Sequence, residues 1–307
     1  MRHLCIMNFD VTILTESRYV NPVNPDWYDE QVLTEDRLVM TALEKNGLKV
    51  QRKDWADPDV DWSKTKTVLF RSTWDYFNRF EEFSKWLKSV STQTVLINPA
   101  QLIHWNIDKR YLEDLEKKGV NCVETIFIPV GTSDSLRSIC EKSPWGRWVL
   151  KPTVSGAARH TYLLEDANLA KHEAIFEELI AKEEMMLQPF INSIVEFGEL
   201  SLMVMDGKYT HAVHKIAKKG DFRVQDDFGG TVKDFDASPE QISFAEKAVK
   251  ACDPQPMYAR VDVVFDNANQ LAISELELIE PELWFRQCHE AAAVLANGIT
   301  RFVKGQD

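Results

Sequence analysis

The sequence predicts a mixed fold, with an α/β part followed by α+β parts. Apolar strand patterns and amphipathic helix patterns alternate over residues 1–105, which is typical of an α/β domain. Residues 106–190 combine short strands with helices, and residues 191–307 begin with two alternating strands joined by Asp206-Gly207, a strong hairpin signal. We therefore expect three domains with these boundaries, the last of which is built on an antiparallel sheet.

Composition and charge narrow the functional classes. A chain of 307 residues with 44% hydrophobic content can bury sizeable cores. The net charge of −12 argues against general binding to nucleic acid or to anionic membranes, and no apolar run approaches the roughly 20 residues of a membrane-spanning helix. The five cysteines lack metal-binding spacing, as in reduced cytosolic proteins. We expect a cytoplasmic protein with small-molecule partners, in which formation of a homo-oligomer stays open.

The first part begins with an apolar segment, HLCIMNF, which we interpret as a strand over residues 3–9. A helix is predicted from Glu30 to Asn46 and is ended by Gly47. The polar loop NPVNPDWYDE before the helix is longer than a minimal connection, and long loops at strand ends often contact ligands. Further strands are predicted at residues 48–54 and 67–70.

Arg71 directly follows the last of these strands. Ligands of open α/β sheets bind beyond the carboxyl ends of the strands, which makes Arg71 a candidate anchor for an anionic substrate group. The competing interpretation is a surface arginine paired with Asp75. The residues alone support both interpretations equally.

The middle part carries short strands around a loop of small residues. After the strand VLINP, a helix is predicted from Ile107 to Lys118, with Gly119 as its stop signal. Strands are predicted in VETIFIPV, on both sides of the loop in RWVLKPTVSGAARHTYLL, and in MMLQPFI. A charged helix from Ala167 to Lys182 lies between the last two segments.

The last part continues after its hairpin with a polar loop over residues 220–235 that contains paired glycines. A helix is predicted from Pro239 to Cys252, and a final helix from Phe285 to Val303. The segment between these two helices carries the charge pattern that points to function.

That segment contains RVDVVF and LAISELEL, which alternate with a period of two and are joined by the turn DNANQ. In such a strand pair, Glu275 and Glu277 point the same way and lie roughly opposite Asp262. Three carboxylates on one face repel one another unless a cation lies among them, so an oxygen-ligand site for Mg²⁺ is expected. The alternative is an exposed acidic hairpin, which the apolar residues at the alternate positions disfavour.

Two lysines, Lys109 and Lys151, precede features suited to phosphate. Lys151 ends a strand and opens the loop TVSGAA, whose small side chains let backbone N–H groups approach an anion. A single glycine does not make a phosphate loop, and a strand that ends in Lys-Pro is more often structural. The order of the features along the whole chain is therefore the stronger signal.

These features form a series along the chain: Lys109, Lys151 with its loop, the Gln188-Pro189-Phe190 strand end, Lys215, the loop from Arg223 to Gly230, Arg260-x-Asp262, Glu275-x-Glu277 and Pro281. The series resembles the ATP-grasp superfamily of carboxylate–amine ligases. Local motifs are most similar to the glutathione synthetase-like branch, and WNIDKRYL, KIAKKGDFRVQDDFGG and ELELIEP resemble the O-ureido-serine cyclo-ligases of cycloserine biosynthesis. The resemblance implies an ATP-grasp fold with an N-terminal Rossmann-like pre-ATP-grasp domain, a small lid subdomain and a C-terminal antiparallel-sheet domain.

The resemblance also implies a role in ATP binding for each matching residue. These roles fall on Lys109 and Lys151 for the phosphates, on Ser155, Gly156 and Ala157 for the lid loop, on Gln188, Pro189, Phe190 and Ile191 for the adenine hinge, and on Glu199 for the ribose. Glu196 competes with Glu199 for the last role.

Metal, catalytic and substrate roles follow from the same resemblance. Two Mg²⁺ ions would be bound by Asp262, Glu275 and Glu277. The transferring phosphoryl group would be stabilised by Arg260 and Lys215. The carboxylate substrate would be held by Arg223, Gly229 and Gly230, in addition to Arg71.

Two features depart from the usual family pattern. Glu277 stands where asparagine is common, and Ala157 and Ala158 stand in the lid loop, which is usually richer in glycine. The expected activity is that of an ATP- and Mg-dependent ligase, which activates a small carboxylate (an amino acid or peptide) as an acyl phosphate and joins it to an amine or cyclises it. The alternative is a catalytically silent ATP-binding regulatory or scaffold protein of the same fold.

Overall fold

The structure, a computed structural model, describes residues 7–156, 158–218, 220–224 and 229–305. Its first sheet is fully parallel, as the alternating strand and helix signals predict. The strands follow the order β2-β1-β3-β4 and comprise β1 (Phe9–Thr15), β2 (Val50–Asp54), β3 (Thr65–Ser72) and β4 (Val95–Ile97). The helices of this part are α1 (Ser17–Val20), α2 (Trp27–Lys45) and α3 (Phe80–Val90), with 3₁₀ turns at Trp62–Lys64 and Tyr76–Asn78.

The second sheet is small and antiparallel. Its order is β5-β8-β6-β7, with β5 (Ile126–Ile128), β6 (Trp148–Pro152), β7 (Tyr162–Leu164) and β8 (Met185–Pro189). Two helices precede it and two connect its strands, namely α4 (Ala100–Ile107), α5 (Tyr111–Lys117), α6 (Leu136–Lys142) and α7 (Leu169–Ile180).

The third sheet is also antiparallel and carries the acidic strand pair. Its order is β11-β10-β9-β12-β13, with β9 (Glu199–Met205), β10 (Lys208–Ile216), β11 (Thr231–Phe235), β12 (Tyr258–Phe265) and β13 (Leu271–Glu277). The remaining helices are α8 (Ser193–Glu196), α9 (Pro239–Lys250) and α10 (His289–Val303). Among the described residues, no helix combines the length and apolar character that a bilayer crossing requires.

The hairpin between β9 and β10 turns at the predicted dipeptide. Asp206 and Gly207 both have positive φ angles, 52° and 75°. Two successive residues with φ above zero are what a two-residue hairpin turn with the right twist requires, and Asp-Gly meets this requirement at low steric cost.

The last helix packs back onto the first part of the chain. Val39 and Leu43 of α2 share one buried core with Met203 of β9 and with Leu295 and Ile299 of α10. The chain therefore closes with an element that joins the parallel sheet to the third sheet.

Several element boundaries differ from those that the sequence predicts. The first strand covers Phe9–Thr15 instead of residues 3–9, of which residues 3–6 lie outside the described residues. The predicted polar loop 220–235 contains a strand, β11, because Thr231–Phe235 pairs with β10. The sequence analysis also did not predict α1, α3, α4, α6 and α8.

The helix predicted from Ile107 to Lys118 begins only at Tyr111, as α5, because α4 ends at Ile107 and the chain is not helical around Lys109. The side chain of Asp108 accepts the Arg110 N–H at 2.9 Å, and the Lys109 N–H donates to the carbonyl of Thr153 at 3.0 Å. These two bonds replace bonds that a continuous helix would make, and they place Lys109 beside the strand that ends at Lys151.

The final helix begins at His289 instead of Phe285. The amides of Phe285 and Arg286 donate to the carboxylate of Glu35, both at 2.9 Å. Because these N–H groups are satisfied by α2, the segment before the helix runs along the first part of the chain instead of joining α10.

Candidate active site

A cleft with a volume of about 560 Å³ lies where the three sheets meet. Its walls carry basic, acidic and aromatic side chains from all three parts of the chain. It brings together most of the residues with predicted roles: Lys109, Lys151, Ser155, Gly156, Gln188, Pro189, Phe190, Ile191, Glu199, Lys215, Arg223, Arg260, Asp262, Glu275 and Glu277.

Three carboxylates form a compact group on β12 and β13. Asp262 lies directly across from Glu275, and Arg260 lies across from Glu277. Ligand oxygens of Asp262, Glu275 and Glu277 lie within 4.8 Å of one another. Asp262 is 1% exposed, which excludes the exposed acidic hairpin. A group of hard oxygen ligands at this spacing fits Mg²⁺.

Basic side chains surround this group. Arg260 donates to Asp262 at 2.8 Å and also to Glu277. Lys215 pairs with Glu199 and lies 3.4 Å from Asp262. These contacts orient the side chains of Arg260 and Lys215 so that their positive charges face the three carboxylates.

The surroundings set different protonation states within the group. Burial would raise the pKa of Asp262, but the charges of Arg260 and Lys215 outweigh it and lower this pKa to about 2. Burial opposes ionisation of Glu275 too, yet the neighbouring Lys109 and Lys151 lower its pKa. For Glu277, burial and the other two carboxylates outweigh Arg260 and raise the pKa to about 7. A bound divalent cation would favour full ionisation of Glu277.

The two predicted phosphate lysines converge from different elements. Lys109, in the break between α4 and α5, donates to the Ser155 carbonyl at 2.6 Å and lies 3.1 Å from Glu275. Lys151 is half-buried at the end of β6, and burial lowers its pKa. Within the described part of the chain, Lys151 forms no salt bridge with a carboxylate. A half-buried ammonium that no carboxylate pairs with directly fits a phosphate group.

The lid loop packs against the first part of the chain. A Cβ atom on Gly156 would lie 2.8 Å from Cε1 of Phe77, so only glycine fits without a shift of that ring. Ser155 donates through its hydroxyl to the carbonyl of Arg159 at 3.0 Å, which shapes the loop. Ala157 lies outside the described residues.

The predicted adenine hinge lies at the end of β8. Gln188 donates to the Thr125 hydroxyl at 2.9 Å. The backbone of Phe190 is held on both sides, because its N–H donates to the Arg147 carbonyl and its carbonyl accepts from Asn267, both at 3.0 Å. Arg147 also lies 4.1 Å above the Phe190 ring. The hinge is thus a rigid apolar wall of the cleft.

Glu199 and its predicted competitor lie in different environments. Glu199 lines the cleft, pairs with Lys215 and accepts a hydrogen bond from the Ser274 hydroxyl at 2.7 Å. Glu196 is exposed and does not line the cleft.

Arg71 is a correction to the sequence analysis. It does not line the cleft, is 4% exposed and donates to the Pro281 carbonyl at 3.1 Å. Its guanidinium lies 3.8 Å from Glu35 and 3.7 Å from Asp36. The alternative pairing with Asp75 is wrong as well. Carboxylates of α2, which packs over the end of β3, hold this arginine inside the protein.

The predicted substrate loop is described only in part. Arg223 lines the cleft and donates to the carboxylate of Asp221 at 2.7 Å. Gly229 and Gly230 are not among the residues that line the cleft, and residues 225–228 lie outside the description. The grip on a substrate carboxylate that these glycines were expected to provide stays a prediction.

Several cleft residues were not singled out from the sequence. They are Arg18, Tyr19, Tyr28, Trp74, Glu280 and Glu282. Of these, Tyr28 lies in the segment NPVNPDWYDE, which was expected to contact ligands, but without a named side chain. The two glutamates follow the end of β13 and carried no strand-period signal.

Comparisons with known proteins place the chain in a family. A profile described as "D-cycloserine synthetase DcsG, N-terminal domain" matches residues 11–98, and one described as "Prokaryotic glutathione synthetase, ATP-grasp domain" matches residues 128–273. The cycloserine biosynthesis protein DcsG of Streptomyces lavendulae is 31% identical over 285 residues, which are 87% of this chain and 93% of that protein.

Solved structures agree with this placement. D-cycloserine synthetase DcsG superposes with a TM-score of 0.83 at 27% identity, over 95% of this chain and 99% of that one. D-alanine–D-alanine ligase from Bacillus anthracis superposes with a TM-score of 0.66 at 14% identity, over 97% of this chain and 100% of that one, and so shares the fold.

The predicted fold class is therefore confirmed, as is the predicted kinship. Proteins of this kind use ATP, generally with Mg²⁺. The chain belongs to the ATP-grasp ligases, in the family that contains DcsG, and is an ATP-dependent carboxylate–amine ligase.

Proposed function

We propose that the cleft binds ATP with two Mg²⁺ ions and activates a small amino-acid carboxylate as an acyl phosphate. A nitrogen nucleophile then attacks the acyl carbon and forms a C–N bond, either with a second molecule or within the same one. A free carboxylate would have to expel oxide during such an attack, whereas an acyl phosphate expels phosphate, a far better leaving group.

One observation carries this proposal. Lys151, a half-buried cation that forms no direct salt bridge among the described residues, lies in the same cleft as the group formed by Asp262, Glu275 and Glu277. Phosphoryl transfer is catalysed mainly by positioning and by neutralisation of charge. A cation suited to phosphate beside oxygen ligands suited to Mg²⁺ supplies both.

The residues of the chain divide these tasks. Lys109 and Lys151 hold the phosphates, and the wall from Gln188 to Ile191 receives adenine. Arg260 and Lys215 lie against Asp262, where their positive charge stabilises the transferring phosphoryl group. Bound Mg²⁺ supplies further positive charge at the phosphate oxygens. Arg223 lies at the cleft wall and binds the substrate carboxylate.

The similarity to DcsG supports ring closure over ligation of two molecules. O-ureido-serine, the substrate of the cyclo-ligases that the sequence resembles, is therefore the first compound to test in both stereochemical forms. Substrate-contacting residues of such enzymes lie on loops, so enzymes of one fold act on different substrates. The screen therefore also includes amino acids and dipeptides.

The test measures ATP-dependent phosphate release over this set of compounds, with mass spectrometry of the product. Lys151→Ala and Glu275→Ala should each lower turnover by about two to three orders of magnitude, the effect typical for loss of a charge-stabilising group. Lys142→Ala, which changes an exposed lysine paired with Asp134, serves as the control and should keep wild-type turnover.

Retained turnover in Lys151→Ala or Glu275→Ala would contradict these assignments. Tight binding of ATP with Mg²⁺ but no turnover on any compound would instead favour the catalytically silent regulatory or scaffold protein. Three expectations stay predictions from the sequence. They are the binding of two Mg²⁺ ions, a cytoplasmic location and the absence of a nucleic-acid or membrane partner.

A further inference from the structure

One carboxylate of the cleft lacks a basic partner within the described parts of the chain. Glu280 lines the cleft but forms no salt bridge there. The other cleft carboxylates are all paired with a cation: Glu199 with Lys215, Asp262 with Arg260 and Lys215, Glu275 with Lys109, Glu277 with Arg260, and Glu282 with Arg286. Glu280 is thus the cleft carboxylate that forms no salt bridge in the described parts of the chain.

The backbone around Glu280 is rigidly held. The carbonyl of Ile279 accepts from the Tyr258 hydroxyl at 2.6 Å, that of Glu280 from the Trp74 indole at 2.8 Å, and that of Pro281 from Arg71 at 3.1 Å. Three successive carbonyls are therefore fixed by side chains from other elements. This arrangement presents the Glu280 side chain at a defined place on the cleft wall.

The surroundings of the Glu280 carboxylate favour a cation. Burial, and then the charge of Glu277, raises the pKa of Glu280 to about 8. Tyr76 and the charge of Lys109 both act to lower the pKa of Glu280. An ionised carboxylate in such a place is costly unless a cation joins it.

Glu280 lies outside the group of carboxylates that could share one metal ion. Among the described residues, the group whose oxygens lie close enough to share a metal ion consists of Asp262, Glu275 and Glu277, without Glu280. Glu280 follows Glu277 by three positions, beyond the end of β13. A cationic group of a ligand bound in the cleft would supply this positive charge.

We propose that Glu280 binds the ammonium group of the substrate and thereby selects amino acids over carboxylic acids without an amino group. This inference rests on the proposed function, because it assumes that the substrate carboxylate reacts beside the metal group. In an α-amino acid the ammonium is attached to the carbon next to the carboxylate, so it lies within reach of the adjoining wall. Glu280 is a specificity-determining residue, and Arg71 and Trp74 position it.

The experiment compares two compounds that differ in one group: O-ureido-serine, and the analogue in which hydrogen replaces its ammonium. Binding of each is titrated to the full-length protein saturated with Mg²⁺ and a non-hydrolysable ATP analogue. The wild-type protein should bind the amino compound at least about fiftyfold more tightly, as expected for a desolvated charge pair. In Glu280→Gln this ratio should fall below about fivefold, since an amide offers no negative charge.

Glu282→Gln is the matched control, because Glu282 lies two residues away in the same wall but is paired with Arg286 at 2.6 Å. It should keep most of the discrimination. An equal loss of discrimination in both variants would overturn the assignment to Glu280. Circular dichroism checks folding, and Glu280→Asp, which keeps the charge, should retain partial discrimination if Glu280→Gln does not fold.

Other outcomes separate this inference from the proposed function. Equal binding of both compounds to the wild-type protein would overturn the inference, as would a changed Mg²⁺ requirement in Glu280→Gln, which would make Glu280 a metal ligand. Binding of neither compound while the ATP analogue binds would also overturn it and leave the nucleotide site standing. Failure of the ATP analogue to bind with Mg²⁺ would overturn the proposed function itself.

Discussion

At the scale of single residues, Glu277 shows how one substitution changes a site without abolishing its chemistry. It stands where asparagine is usual in related ligases, yet it still offers an oxygen to the group formed with Asp262 and Glu275. Its second contact is with Arg260, which also holds Asp262. The extra charge is therefore balanced inside the protein, and we expect it to strengthen metal binding.

Replacing Glu277 with asparagine tests this balance. Glu277→Asn should keep ATP turnover within about tenfold of the wild type but raise the Mg²⁺ concentration for half-maximal rate about three- to tenfold, or ~1 kcal/mol, because one anionic ligand is lost. Phosphate release as a function of Mg²⁺ measures the effect. An unchanged Mg²⁺ requirement would show that Glu277 does not bind the metal.

Glu16, which follows β1, links stability to pH. Burial, and then the charge of Asp75, raises its pKa to about 7, although Arg18 opposes the shift. Because the pKa is higher in the folded state, the protonated carboxyl group stabilises that state. This stabilisation is complete below about pH 4.5 and is lost as the pH rises towards 7. The free energy of unfolding should therefore fall over this range.

The variant Glu16→Gln should lose this part of the pH dependence. The free energy of unfolding of the variant minus that of the wild type should increase by about 1 kcal/mol from pH 5 to pH 8. This value is reduced for solvent screening, because the group is only half-buried. Urea denaturation at both pH values gives the difference. The exposed Glu44→Gln is the control, and a parallel shift in both variants would contradict a specific role of Glu16.

At the scale of elements, the lid loop depends on a contact with another part of the chain. Gly156 lies against the ring of Phe77, which follows β3 in a 3₁₀ turn. The loop belongs to the second sheet, whereas the ring belongs to the first part. These two parts of the chain therefore meet at one glycine.

A methyl group at this position should disturb the lid. Gly156→Ala should raise KM for ATP about five- to twentyfold, or ~1–2 kcal/mol, because the Phe77 ring must move to make room. Phe77→Ala in the same protein should restore most of the affinity, as steady-state kinetics of the single and double variants will show. If the double variant is no better than Gly156→Ala, steric conflict with Phe77 is not the cause.

At the scale of the whole molecule, α10 ties the two ends of the chain together. Leu295 is fully buried in the core that α10 shares with α2 and the third sheet. The segment just before α10 is held by Glu35 of α2. Because that segment follows Glu280 and Pro281, the same packing that stabilises the fold also supports the cleft wall that carries Glu280.

Leu295→Ala should lower the free energy of unfolding by about 2–5 kcal/mol, the usual cost of a cavity in a core. Circular dichroism and tryptophan fluorescence should report the same shift in the denaturation midpoint if the parts unfold together. Val294→Ala on the same helix is 37% exposed and should change stability by less than about 0.5 kcal/mol. A shift in only one of the two signals would mean that the parts unfold separately.

Local patterns predicted those features of the site that depend on neighbouring residues in the chain. The two-residue period of β12 and β13 brought Asp262 opposite Glu275, because pleat and turn determine which side chains share a face. The loop of small residues after Lys151 was recognised in the same way. Lys109 was recognised by its place in the series, but its position in a helix was wrong, since a bond to the Thr153 carbonyl breaks that helix.

By itself, the sequence determined the fold class, the family and the acidic strand pair, because these follow from periodicity and from the order of motifs. Only the tertiary structure decided the surroundings of Arg71 and Glu280. Arg71 turns inward because Glu35 and Asp36 of α2 pack over it. Glu280 lies in the cleft wall without a salt bridge among the described residues, on a backbone that Tyr258, Trp74 and Arg71 hold. Contacts between residues so distant in the chain leave no periodic trace in the sequence.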